Sequence, residues 1–363
     1  MNKFLCGKRI DRLGSIRLSM LLCTTIAVLA VAVTGTFIAC EKSVSEPEFT
    51  AVESSAMFHS PGRGYVAPRT DGFLTTPDGT QLYYRIAGNG PDTVVALHGG
   101  PGLSASHLID NWDFLAAGRT IIYYDQRGGG HSDLEVELTT ERMVADLEAV
   151  REYFGLEELK LIGQSWGAML ASLYAIEHTD RVNRMVLVTP GPVAQNPFEV
   201  QFFETLMERQ PPEVQAKLDS LAGEMLFGDN PVEACEQWFT INFSYYLHDP
   251  ANIGKNKGNW CEGGEDSARQ VFMTFGTVVG SLGPDWDFRP ALSELSVPTL
   301  VVHGIADALP LGSSEGYAEI QGAELLILSD AGHYPWFEDA PKFFTPVNNF
   351  LRRADASLRG PAR

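Results

Sequence analysis

Basic residues are scarce in this chain. Lys and Arg number 27 against 46 Asp and Glu, a formal net charge of −19. Nucleic-acid binding needs a basic face and is excluded on that ground. Substrates rich in negative charge are disfavoured too. The same surplus suits solubility, and it suits a cationic ligand such as a peptide amino terminus. No P-loop, no dinucleotide fingerprint and no close cluster of zinc ligands occurs in the sequence, so no cofactor is expected. No internal repeat or long low-complexity tract is present. Cysteines number five in 363 residues.

What is present begins with an unusual amino terminus. Lys3, Lys8, Arg9, Arg12 and Arg17 precede a run from Met20 to Ala39 without a charge, and the chain turns polar after Cys40. That order reads as an export signal over 1–40. The run is also long enough to span a bilayer. Phe37-Ile38-Ala39-Cys40 resembles a bacterial lipobox, in which the cysteine is lipidated and becomes the new amino terminus. Three outcomes stay open: a lipoprotein attached through Cys40, an uncleaved N-terminal anchor, and plain secretion. All three place the body outside the cytoplasm, in the cell envelope or beyond. The oligomeric state is not legible. Cys6 and Cys23 leave with the signal, so Cys235 and Cys261 remain in an oxidising compartment and are expected to pair.

Residues 41–69 are rich in Ser, Glu, Pro and Gly without periodicity and read as a flexible tether. Asp78-Gly79 then marks a hairpin between runs starting at Phe73 and Gln81. Six short apolar runs follow, at Thr93–Leu97, Thr120–Tyr124, Leu159–Ile162, Met185–Val188, Thr299–Val302 and Leu325–Leu328. Runs without alternation are what strands buried on both faces look like. Helical spacing separates them, for instance over Glu141–Phe154, Ala168–His178 and Lys342–Arg353. Alternation of this kind means an α/β fold, a mostly parallel sheet with helices on both faces. The stretch 192–290 breaks the pattern: it is long, aromatic and mainly helical. It reads as a helical cap inserted between the sixth and seventh strands of the main sheet. The α/β core is thereby split into 70–191 and 291–363.

Gly163-Gln164-Ser165-Trp166-Gly167 stands between an expected strand and an expected helix. This is the G-x-S-x-G elbow of the α/β-hydrolase fold, with Ser165 as nucleophile. Its hydroxyl needs a base. His333 follows the last expected strand and fits that role. Asp307 follows the strand Thr299–Val302 and would orient His333, giving the chain order Ser, Asp, His. Asp330 is a rival carboxylate, but it is three residues from His333 and belongs to the turn. Oxyanion donors are expected from the Trp166 amide and from His98-Gly99-Gly100-Pro101-Gly102, with Gly100 first and Gly99 as the alternative. His98 is read as hydrogen-bonded within its loop. Asp125 and Arg127, in a glycine-rich stretch after the next strand, are read as braces.

With these residues in place, the chain resembles the proline iminopeptidase family of α/β-hydrolases over roughly 73–351. The likeness rests on His98-Gly-Gly-Pro-Gly102, Asp125-Gln-Arg-Gly-x-Gly-x-Ser132, Gly163-x-Ser-Trp-Gly167, His303-Gly-x-x-Asp307 and Gly332-His333. It implies removal of an amino-terminal residue, often proline, from a small peptide or amide substrate beneath a helical cap. Some relatives cleave other amides or esters. The family often has glycine where Gln164 stands and arginine where Ile305 stands. Family members bind the free amine with cap glutamates. Glu233, Glu236, Glu262 and Glu265 lie in suitable regions, and no local motif selects among them. An esterase or lactonase with the same triad is the second reading. The third, a surface binding protein on an inactive hydrolase fold, would require a broken triad.

Overall fold

The computed structural model describes residues 67–353. The export signal, Cys40 and nearly all of the tether lie outside the described residues.

The apolar runs become the sheet. The hairpin strands are β1 (Arg69–Thr75) and β2 (Gln81–Gly88), followed by β3 (Thr93–Leu97), β4 (Thr120–Tyr124), β5 (Leu159–Gln164) and β6 (Val182–Val188). After a long helical stretch come β7 (Thr299–Gly304) and β8 (Glu324–Leu328). Alternate side chains feed two separate cores. Val94, Ala96, Ile121, Tyr123, Ile162 and Val186 pack on one face. Val95, Leu97, Ile122, Tyr124, Leu161 and Leu187 pack on the other. Burial on both faces explains why these strands read as unbroken apolar runs.

β8 departs from that expectation. It lies at the sheet edge and Ile327 is 46% exposed. An apolar run does not distinguish a central strand from an edge.

The sheet order is β1-β2-β4-β3-β5-β6-β7-β8. The β1–β2 and β2–β4 pairs are antiparallel and the others parallel. The chain therefore steps from β3 outward to β4, then back across β3 to β5. The carboxyl ends of β3 and β5 flank that reversal, which is where open α/β sheets bind ligands.

Helices α1 (Ser106–Trp112), α2 (Thr140–Tyr153) and α3 (Trp166–Glu177) join the first strands. Thr139 caps α2 by accepting from Arg142 N, as a threonine at that position should. Between β6 and β7 run α4 (Val200–Arg209), α5 (Pro212–Phe227), α6 (Pro231–Ser244) and α7 (Glu265–Gly280). Prolines open α5 and α6 at the first helical position, where a missing N–H costs nothing. The chain enters and leaves this stretch through a paired neck: Gln195 N donates to Trp286 O at 2.9 Å and Phe288 N to Val193 O at 3.0 Å. Cys235 on α6 and Cys261 form a disulfide, the pairing expected from the sequence. After a short helix, α8 (Arg289–Leu292), the sheet resumes. α9 (Leu311–Tyr317), α10 (Pro335–Glu338) and α11 (Ala340–Leu351) complete the described chain. None of the described helices is long and apolar enough to cross a membrane.

Candidate active site

β5 ends at Gln164 and α3 begins at Trp166, so Ser165 alone makes the turn. Its φ is 53° and its ψ −119°, a conformation that costs a non-glycine residue about 1–3 kcal/mol. The surroundings hold it there. Ser165 N donates to Val188 O at 3.0 Å, and Ser165 O accepts from Gly191 N at 3.1 Å and from Ala168 N at 3.0 Å. A Cβ on Gly163 would overlap the carbonyl of Gly167, and a Cβ on Gly167 would overlap that of Leu97. Both elbow glycines are therefore demanded by close approach.

His333 and Asp307 meet. The imidazole Nδ1 lies 2.8 Å from Asp307 Oδ2, and both side chains are buried. The other carboxylate oxygen accepts from Leu309 N at 3.1 Å, which fixes its rotation. Asp330 faces solvent and binds Ser329 and Lys342 instead. The β6 exit loop touches both remaining partners. Val188 O and Gly191 N hold the Ser165 backbone, while Thr189 Oγ1 donates to His333 O at 2.9 Å. No hydrogen bond joins Ser165 Oγ to His333 in this structure. Such contacts often close only when substrate is bound.

The loop after β3 lies beside the elbow because Leu97 pairs with Gly163 in register. Gly100 has φ 122°, which a side chain would oppose. Its N–H and that of Trp166 donate to no group among the described residues. Trp166 is the first residue of α3, where the backbone N–H has no helical acceptor. His98 is fully buried. Its Nδ1 lies 2.7 Å from Gly99 O and its Nε2 accepts from Gln126 N at 3.1 Å. Burial pushes its pKa down, so it is a neutral loop anchor, as expected. Gln126 extends the brace: its Nε2 donates to His98 O at 2.9 Å and its Oε1 accepts from Trp166 Nε1 at 2.8 Å. Gln126 thus fastens the β3 loop to the start of α3, a role that sequence reading missed. Gln164 is buried against Gly99.

Asp125 accepts from Ala105 N at 2.7 Å and from His131 N at 2.8 Å. Burial alone would raise its pKa; the hydrogen bonds and the nearby His131 and His98 outweigh burial and hold it below the ordinary carboxylate range. Arg127 forms a two-pronged pair with Asp146 at 2.6 Å on each prong. Both residues brace loops, as read from the sequence.

The four glutamates differ. Glu262 is bound by Arg85 through two bonds of 3.2 and 2.6 Å. Glu233 accepts from Gln237 on its own helix, and Glu265 lies 4.0 Å from Arg269. Among the described residues Glu236 accepts only the Cys261 N–H, at 3.0 Å, and burial pushes its carboxyl up. Among the described residues no three His, Cys, Asp or Glu side chains converge to hold a metal ion.

A family model described as alpha/beta hydrolase fold matches residues 92–340. The chain belongs to that family. This hydrolase is 26% identical over 300 residues to a proline iminopeptidase of Thermoplasma volcanium, covering 78% of this chain and 97% of that protein. Its fold matches the crystal structure of a proline iminopeptidase from Mycobacterium smegmatis with a TM-score of 0.56 at 21% identity, over 78% of this chain and 97% of that one. A thermophilic esterase from Thermogutta terrifontis matches with a TM-score of 0.57 at 22% identity, over 79% and 98%. At such identities the solved structures speak for the fold.

Proposed function

We propose that this protein is a serine hydrolase that releases amino-terminal residues, proline among them, from short peptides or amino-acid amides. The His333–Asp307 pair supports this most directly, since it sits on strand exits and shares the anchoring end of β6 with a strained serine. In this reading Ser165 Oγ attacks the carbonyl carbon and His333 Nε2 takes its proton. Asp307 holds the imidazole in the tautomer with Nδ1 protonated and stabilises the imidazolium. The N–H groups of Gly100 and Trp166 receive the oxyanion, a contribution of about 10²- to 10³-fold per donor. His333 then gives its proton to the leaving amine, and water releases the acyl group by the reverse sequence.

The similarity to a protein named proline iminopeptidase over most of both chains supports the peptidase reading. The acidic surface fits a substrate that carries a free amine. An esterase is the second reading. The aromatic wall beside the base favours it: Tyr246 lies 5.3 Å from the His333 ring and Phe243 lies 5.3 Å from Tyr246. Such a wall suits an acyl chain. Free and amino-blocked amino-acid β-naphthylamides, run beside short p-nitrophenyl esters, separate the two. Cleavage of free amides that vanishes on blocking is expected; cleavage of esters alone would overturn the peptidase reading. Ser165→Ala should lower turnover about 10⁴-fold or more while leaving stability little changed.

The amino terminus supports a location in the cell envelope, with Cys40 as a lipid attachment point. Metabolic labelling with palmitate should mark the wild type and miss Cys40→Ala. Equal labelling of both would refute this attachment.

A further inference from the structure

Acid and base sit on separate loops, Asp307 after β7 and His333 after β8. One direct backbone bond links those loops, from Ala306 N to Ala331 O at 3.0 Å. Further anchors come from residues 245–249, the turn that follows α6.

Tyr246 O accepts from His333 N at 2.9 Å, and a Cβ on Gly332 would overlap that same carbonyl. Two charged side chains reinforce the contact. Glu338 on α10 accepts from Gly332 N at 2.6 Å and His248 N at 3.1 Å through Oε2. Its Oε1 accepts from Asp249 N at 2.8 Å and Asn252 Nδ2 at 3.3 Å. Arg209, the last residue of α4, donates through Nη1 to Tyr245 O at 3.1 Å and Ala306 O at 2.9 Å. Its Nη2 donates to Asp307 O at 3.0 Å. One guanidinium thus ties the turn to the acid loop, and one carboxylate ties the same turn to the base loop. Hydrogen bonds with one charged partner are about twice as strong as neutral ones.

Among the described residues Arg209 makes no ion pair with a carboxylate. Its three acceptors are backbone carbonyls 36, 97 and 98 positions away. Capping of its own helix end would use carbonyls within the last turn; these donors are spent across the molecule instead.

We propose that Arg209 and Glu338 are positioning residues for the His333–Asp307 pair, so that the helices between β6 and β7 govern turnover as well as access. This rests on the hydrolase reading above. The two loops must keep their relative placement within about 0.5 Å for the pair to work. Removing either clamp frees the turn and lengthens the 2.8 Å Nδ1–Oδ2 contact. A displacement of about 1 Å costs on the order of 10²-fold in rate.

The test compares Arg209→Met, Arg209→Lys and Glu338→Gln in the full chain. Two readouts are needed: kcat and KM on a substrate the wild type cleaves, and the downfield proton resonance of His333 Nδ1–H. Arg209→Met should lower kcat by up to about 10²-fold with KM nearly unchanged, and should broaden or abolish the resonance. Arg209→Lys should restore part of both, because an ammonium still reaches carbonyls. Glu338→Gln should act in the same direction, since its amide donors confront the backbone N–H groups. Folded variants with wild-type kcat and an intact resonance would overturn the proposal, and so would a change confined to KM. Should Arg209→Met fail to fold, the other two variants decide. Failure of the hydrolase reading is separately visible: the wild type would show no turnover that Ser165→Ala removes, while the resonance would still report on the clamps.

Discussion

Arg127 and Ser165 are both buried or half-buried polar residues on loops at the carboxyl end of the sheet, and only their partners tell them apart. The Arg127 guanidinium is used up: two bonds to Asp146, one to Asp78 at 3.0 Å and one to Glu137 O at 3.0 Å. Arg127 and Asp146 side chains are each 1% exposed, so solvent cannot replace a lost partner. Removing Asp146 would leave Arg127 paired with the partly exposed Asp78, and breaking a buried pair costs up to about 3–5 kcal/mol. Asp146→Ala should therefore lower the free energy of urea unfolding by up to that amount while kcat of the folded fraction stays near wild type. A loss under about 1 kcal/mol would show that the pair is dispensable, and a large drop in kcat would show that the brace reading is too narrow. Ser165 behaves oppositely. Its backbone is held by four bonds, and its hydroxyl is tied to no base among the described residues. Its substitution should move rate and leave stability alone.

At the scale of elements, α2 and α3 pack against the same sheet face and are tied by one carboxylate. Glu148 on α2 accepts from Arg151 at 2.8 and 2.7 Å and from Tyr174 on α3 at 2.6 Å. The Arg151 pairing, with the Tyr174 hydroxyl, outweighs burial and draws the Glu148 pKa down to about 2 from an ordinary 4.5. A depressed carboxylate stabilises the fold above its unfolded pKa, and that contribution drains away as pH falls from about 4.5 towards about 2. Glu148→Gln should thus flatten the stability-against-pH curve across that window and lower the plateau above it. A curve parallel to wild type from pH 5 to 2 would contradict this. The elements themselves were legible where burial is symmetric. β3 to β7 were read from unbroken apolar runs, and the hairpin from Asp78-Gly79. β8 was read as doubly buried and is an edge, because composition reports apolarity and not neighbours. Ser165, Asp307 and His333 were legible because each stands at a strand exit within a local motif. Gln126, Thr189, Arg209 and Glu338 were not: each acts on a backbone group dozens of residues distant, and no spacing records that.

For the whole molecule, the proposed envelope location would join compartment and stability through Cys235 and Cys261. An export signal leads to an oxidising compartment, and such a compartment lets two thiols persist as a disulfide. The bond closes a loop of 26 residues, for which loop entropy gives about 3.5 kcal/mol. It also steadies the neighbour of Cys261, since Trp260 O accepts Ser104 N at 3.1 Å just beyond the oxyanion loop. The cross-link therefore serves the fold and the site at once. Cys235→Ser, or wild type in reductant, should lose about 3.5 kcal/mol in urea unfolding. Alkylation of intact protein should find neither thiol free until reductant is added. A protein expressed without its first 40 residues in a reducing cytoplasm should match the reduced form in stability, and should regain the difference on oxidation in vitro. Equal unfolding free energies before and after oxidation, with both thiols alkylated in the first sample, would break the link between compartment and stability.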